Sequence, residues 1–290
     1  MSKSFLGGQV MRKFACIYFM QDNIIVSKDR SFIKRHPKIT IESVWYKDIE
    51  SYKVNIDSTF QTFTSKDWQY LENQLILKDV EYVYIPGKGK TGQLFEEILI
   101  VDGREILPLT SYYILEYINR YKLIFKDELS AKIGVIVGEM EEAVDLIKSI
   151  MDDITDLTLF VVNPLVYKEI VMALRAKKQL RIRAVKPNEP LLRKMDIVFD
   201  LKTSGIYAEW CDPKAIYIDY RNKTLRHIEQ LEGPLPSIWY GFDIIWEGRS
   251  MEMPVLQMLL GTQGLTGSML RREFKHLNLS ITGVHARRIS

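Results

Sequence analysis

Lys132-Ile-Gly-Val-Ile-Val137 runs directly into Gly138, and Glu139-Met-Glu-Glu-Ala-Val-Asp-Leu-Ile-Lys-Ser-Ile150 follows. The first run is short, apolar and rich in β-branched residues, as a buried parallel strand is. In the second, Met140, Ala143, Val144, Ile147, Ile150, Met151 and Ile154 recur at helical spacing with acids opposite. A strand entering a helix through a glycine is the opening of a nucleotide-binding βαβ unit. Its phosphate-binding signature is missing. A dinucleotide turn needs further glycines, so that the backbone can approach the pyrophosphate. It also needs no negative charge at the helix N-terminus, where the anion sits. Here Glu139, Glu141, Glu142 and Asp145 crowd the first turns. The stretch predicts a fold and leaves the reaction open.

The alternation continues downstream. Leu157-Thr-Leu-Phe-Val-Val162 reads as a second strand, and Asn163-Pro164 supplies an N-cap and an N1 proline for a helix over 165–178. Residues 181–185 form a third strand, Asn188 and Pro190 start a short helix, and 196–200 and 215–219 are the fourth and fifth strands. Five short strands with helices between them predict a doubly wound, Rossmann-like parallel sheet.

Upstream, strands are expected at 14–20, 23–26, 39–46 and 80–85, with a helix over 66–77. Asp102-Gly103 between apolar runs predicts a hairpin joining strands 94–101 and 104–107. Ser111 is placed to cap a helix over 112–125. Residues 126–130 read as a linker. Downstream, 251–260 and 268–277 are expected to be helical, and the aromatic run Trp239-Tyr-Gly-Phe-Asp-Ile-Ile-Trp246 is a candidate strand lining a cleft between domains. The expected organisation is α/β: a mixed α/β N-terminal domain over 1–128, a Rossmann-like domain over 129–250, and C-terminal helices over 251–290 packing back toward the domain junction.

Bulk composition narrows the function classes. The 290 residues are 47% hydrophobic and 27% charged, a globular composition, and as a length they suggest two domains. Net charge is only +3, so neither nucleic acid nor an anionic membrane is expected as a partner. No apolar run reaches 18 residues, so no membrane span is expected. The apolar run after Lys3, Arg12 and Lys13 lacks a cleavage site and reads as a strand, not a signal peptide. Met11 is an alternative start, since residues 1–10 show no pattern. Cys16 and Cys211 form no CxxC pair and read as reduced thiols in a cytoplasmic protein. His36, His227, His276 and His285 show no ligand spacing, so no metal site is expected.

Gly87-Lys-Gly-Lys-Thr-Gly92 contains Gly-Lys-Thr, but Tyr84 stands where a P-loop needs its first glycine, and a strand follows. It reads as a basic hairpin loop, with Lys88 and Lys90 as candidate anion contacts. Arg271, Arg272, Lys275, Arg287 and Arg288 read as a solvated basic face. No Gly-x-Ser-x-Gly is present, so nucleophilic serine chemistry has no support.

Asp196-Ile-Val-Phe-Asp-Leu-Lys-Thr-Ser-Gly205 resembles the fourth-strand motif of the shikimate and quinate dehydrogenases, "asp-apolar-apolar-apolar-asn…thr-ser/pro…gly", with Asp200 in place of asparagine and an offset of one residue. Asp219-Tyr-Arg-Asn-Lys-Thr-Leu225 is similar to the segment that follows that family's fifth strand. Asn163 matches the asparagine of its "asn-arg-thr" motif, with Pro164 in place of the arginine that binds the NADP phosphate. Met258-Leu-Leu-Gly-Thr-Gln-Gly264 looks like its C-terminal "met-leu…gln-gly" helix, whose glutamine contacts substrate. The resemblance covers about residues 130–265. It implies NAD or NADP as cofactor, with Gly138, Asn163, Thr203 and Gly205 beside it and Gln263 near the substrate. The family's glycine-rich turn, its "ser-x-ser-pro" motif and its catalytic lysine have no counterpart here.

Three functions stay open: a catalytically silent binding or assembly protein, an NAD(P)-dependent oxidoreductase acting on a small polar metabolite in the inter-domain cleft, and an anion or nucleotide sensor built on Lys88 and Lys90. The partner is a small-molecule ligand or another protein. The sequence leaves catalytic residues and oligomeric state unassigned, a homo-oligomer included.

Overall fold

A computed structural model describes residues 12–20, 37–46, 48–87, 94–124, 130–177, 180–202, 206–221 and 234–287. The expected strand at 23–26, Lys88, Lys90, Thr203, Gly205, Arg288 and most of the expected linker lie outside these residues. The chain divides into two compact units, Met1–Arg104 with Met253–Leu270, and Glu105–Glu252 with Arg271–Ser290.

The first unit holds β1 (Lys13–Phe19), β2 (Ile39–Tyr46), β3 (Ile49–Ile56), α1 (Ser65–Ile76), β4 (Val80–Tyr84) and β5 (Leu99–Ile100). The strand order is β2-β3-β1-β4-β5, parallel except for the edge pair β2–β3. The central β1 is the run Phe14-Ala-Cys-Ile, buried throughout, which is why it reads as continuous apolar sequence and not as alternation. Trp68, Leu71 and Leu75 of α1 close the core over Ile17, Val54 and Val83. A capping box starts α1: Thr64 Oγ1 accepts from the Asp67 amide, and the Asp67 carboxylate accepts from the Thr64 amide at 2.9 Å.

The expected hairpin at Asp102-Gly103 is not formed. Asp102 Oδ1 accepts from the Arg104 amide at 3.1 Å, and the chain continues through turns into a 3-10 helix at Pro108–Thr110. Gly103, at φ 81, presses against the helix starting at Met253; a Cβ there would lie 2.9 Å from Met253 Cβ. The apolar Ile106 and Leu109 are buried from this turn, so their pattern imitates a strand without being one.

The second unit begins with α2 (Ser111–Arg120). Sequence placed this helix in the first domain. It packs instead on α3 (Met140–Ile150) and on β13 (Leu279–Arg287), and the unit boundary falls at Arg104/Glu105 rather than at 128. Ser111 does not cap the helix. The helical path already starts at Pro108, and Ser111 Oγ hydrogen-bonds Tyr220 Oη at 2.6 Å in the interior.

The expected strand–helix alternation is present: β6 (Lys132–Ile136), α3, β7 (Asp156–Phe160), a 3-10 turn leading into α4 (Lys168–Lys177), β8 (Arg181–Val185), α5 (Glu189–Leu192), β9 (Ile197–Asp200), β10 (Ile216–Asp219) and β11 (Ser237–Trp246). The sheet order is β8-β7-β6-β9-β10-β11, every pair parallel. This is the 3-2-1-4-5-6 order of a Rossmann sheet, with the reversal between β6 and β9.

Two strands were not foreseen. Glu247 and Gly248, at φ 50 and 79, turn β11 back into β12 (Arg249–Met251), and β13 pairs antiparallel along nearly all of β11. The C-terminal helices are observed as α6 (Met253–Thr262) and α7 (Gly267–Glu273). The α6 helix belongs to the first unit, where it packs on β1 and β4. Among the described residues, no helix is long and apolar enough to cross a membrane.

Candidate functional site at the carboxyl edge of the second sheet

Doubly wound sheets hold ligands beyond the carboxyl ends of their strands, where the strand order reverses. In the second unit that place is ringed by Gly138 after β6, Leu201 after β9 and Arg221 after β10. The strand ends are tied down by aspartates. Asp200, the last residue of β9, accepts from the Lys202 amide at 2.7 Å. Asp219, its register partner on β10, accepts from the Arg221 amide at 2.9 Å. Each carboxylate closes a local turn, the usual work of aspartate at a chain reversal.

Gly138 is held by close approach. A Cβ at this position would lie 2.5 Å from the Leu201 carbonyl oxygen, so only glycine lets the backbone after β9 pass over the end of β6. The same carbonyl accepts from Arg221 Nε at 3.0 Å. Arg221 Nη2 donates to both oxygens of Glu142, at 2.7 and 2.5 Å. Both side chains are mostly covered, 14% exposed for Arg221 and 20% for Glu142. One guanidinium therefore joins the ends of β9 and β10 to the first turn of α3.

The fit of a dinucleotide can be read from this geometry. In the fingerprint G-x-G-x-x-G/A, the first glycine makes the turn, the second lets the backbone reach the pyrophosphate, and the third position packs helix on strand. This chain has Gly138, Met140 and a buried Ala143 at those positions. The turn and the packing position survive, and the phosphate-approach position does not. Glu141 and Glu142 in the first turn complement the helix dipole that would otherwise attract the anion. The residues present do not fit a dinucleotide held in the usual way.

Behind the edge lies a buried polar group. Asp200 and Tyr217 are both fully buried, and Tyr217 Oη donates to Asp200 Oδ2 at 2.6 Å. Burial pushes the Asp200 carboxyl up to about 7, against the downward pull of the Tyr217 and Lys202 hydrogen bonds. Burial also pushes the Cys211 thiol up to about 12 and the Tyr217 phenol well above its ordinary value. A buried thiol with so high a pKa is no nucleophile. Cys16 and Cys211 are both buried and neither is in a disulfide. No group of three or more potential metal ligands is present among the described residues.

Two other sequence candidates are described, Asn163 at the carboxyl end of β7 and Gln263 in the first unit. Asn163 follows β7 and its Oδ1 accepts from the Leu165 amide at 3.2 Å, which makes it a cap. Gln263 belongs to the first unit. It lines a cleft of about 990 Å³ with Arg12, Asp79, Glu81 and Glu97, at the amino-terminal edge of that sheet. Only Gly138 stands at the switch point among the described candidates. Glu142, Arg221, Asp200 and Asp219 were not singled out as site residues from sequence. The loss of the second fingerprint glycine at Met140, beside a retained Ala143, was the available signal.

No protein-family model matches the chain, and no curated protein matches it. Solved structures with partial overlap include shikimate 5-dehydrogenase from Listeria monocytogenes, 11% identical over 58% of this chain and 68% of that one, TM-score 0.30. Dipicolinate synthase A chain from Bacillus subtilis is 9% identical over 68% and 65%, TM-score 0.40. Thermococcus litoralis Δ1-pyrroline-2-carboxylate reductase is 15% identical over 42% of this chain, TM-score 0.30, and the overlap spans 41% of that enzyme's length. Strand order and parallel register establish the Rossmann fold of the second unit independently of these overlaps.

Proposed function

We propose that this protein is a catalytically silent Rossmann-fold protein that acts by binding or assembly, with its dinucleotide phosphate site closed by its own side chains. The observation that carries this reading is the Arg221 guanidinium, bonded at once to Glu142 and to the Leu201 carbonyl over Gly138. Among the described residues, Arg221, Glu142 and the Leu201 carbonyl at the switch point are bonded to one another, and the nearby Asp200 and Cys211 are buried. The partner is a small molecule or a protein surface, and buried cysteines outside any disulfide fit a cytoplasmic setting.

An NAD(P)-dependent oxidoreductase is the second reading, favoured by the strand order and by Ala143 in the third fingerprint position. Titration of the purified protein with NADH and NADPH, followed by cofactor fluorescence, separates the two. No change at millimolar cofactor is expected. Saturable enhancement, or a dinucleotide co-purifying by mass spectrometry, would overturn the silent reading. The sensor reading rests on Lys88 and Lys90; replacing both with alanine and measuring anion binding tests it.

A further inference from the structure

We propose that Glu142 is a tethered anion: its carboxylate is the built-in ligand of Arg221, so that the carboxyl edge is completed by the chain and not by a cofactor. This deepens the closed-site reading and rests on it. Arg221 lies two residues beyond Asp219, the last residue of β10, and its backbone is fixed by the hydrogen bond from its amide to that carboxylate. Its Nε is spent on the Leu201 carbonyl. Nη2 is thereby aimed at the first turn of α3, where Glu142 meets it with both oxygens. A guanidinium is always charged and matches carboxylate and phosphate oxygens alike. With most of its surface covered, it needs an anion at this point, and among the described residues Glu142 is the acid that meets it. Glu141, the residue before Glu142, is exposed.

Truncating the tether while leaving the receptor intact tests this by chemical rescue. Glu142→Ala removes the carboxylate and leaves space for a small anion. The variant should melt several degrees below the parent in sodium chloride. Acetate or inorganic phosphate, at matched ionic strength, should restore a substantial part of that loss, well beyond the general stabilisation the same salts give the parent. The double variant Glu142→Ala/Arg221→Gln should show no restoration. If Glu142→Ala does not fold unaided, the same anions are added during refolding, and recovery of folded protein is the readout. Rescue absent in Glu142→Ala, or rescue persisting without Arg221, overturns the proposal. Cofactor binding to the parent would instead sink the closed-site reading, so the two failures are distinguishable.

Discussion

Asp200 should make the stability of this protein fall as pH rises from about 4 to about 7, and Asp200→Asn should remove that component. The carboxyl is fully buried at the end of β9 and its folded pKa is about 7, against an ordinary 3.8. The folded value is raised, so the native state holds the proton more tightly than the unfolded chain. Below about pH 4 both states are protonated and the group contributes nothing to the pH dependence. Between about 4 and 7 only the native state keeps the proton, and each pH unit costs about 1.4 kcal/mol. Above 7 the native carboxylate is ionised in the interior, and the full penalty of about 4 kcal/mol is reached. Asparagine keeps the shape and its oxygen can still accept from the Lys202 amide, but it does not titrate. Its own cost, including a rearranged bond to Tyr217, is independent of pH. Urea unfolding of both proteins at several pH values isolates the effect. The stability of the asparagine variant relative to the parent should improve by about 3 kcal/mol from pH 5 to pH 8 and flatten above 7. Parallel stability profiles across that range would refute the reasoning, because they would mean that Asp200 has nearly its ordinary pKa in the folded state.

Gly138→Ala should destabilise by roughly 1–3 kcal/mol in urea unfolding, since its Cβ would drive the Leu201 carbonyl off the end of β6; an unchanged midpoint would refute the close approach. Asn163→Ala should cost about 1 kcal/mol and Asn163→Asp very little, as expected of a helix cap; equal losses in both variants would mean that Asn163 does something other than cap.

Most strands of the second unit were legible because parallel strands buried on both faces write themselves as short apolar runs, the edge strand β8 with its two arginines being the exception. Those from β6 to β10 each lie within a residue or two of the run that marks them. The Asn163 and Asn188 caps were equally local, each accepting from an amide two or three residues on. The misreadings at Asp102-Gly103 and Ser111 have one cause. Turn and cap residues announce a reversal or a helix start, but the partner that decides between them is distant: Met253 for Gly103 and Tyr220 for Ser111. The β11–β12 turn uses Glu247-Gly248, a pair without the asparagine or aspartate that usually advertises a left-handed turn. The clasp that Arg221 forms with Glu142 and the Leu201 carbonyl was invisible for the same reason. Arg221 and Glu142 are 79 residues apart and meet only because β6, β9 and β10 are neighbours.

A dinucleotide enzyme leaves its carboxyl edge unsatisfied, with helix amides and strand ends waiting for a ligand to complete them. In this chain the same edge is completed from within. Asp200 and Asp219 hold the turns after their own strands, Glu142 faces Arg221, and Arg221 fills the Leu201 carbonyl. Catalysis requires groups held in reach of a substrate but not committed to one another. The switch-point groups described here are either paired in the clasp or buried behind it, as Asp200, Tyr217 and Cys211 are. A set of side chains that satisfies itself gives a rigid edge, and that rigidity is what the proposed binding or assembly role would draw on.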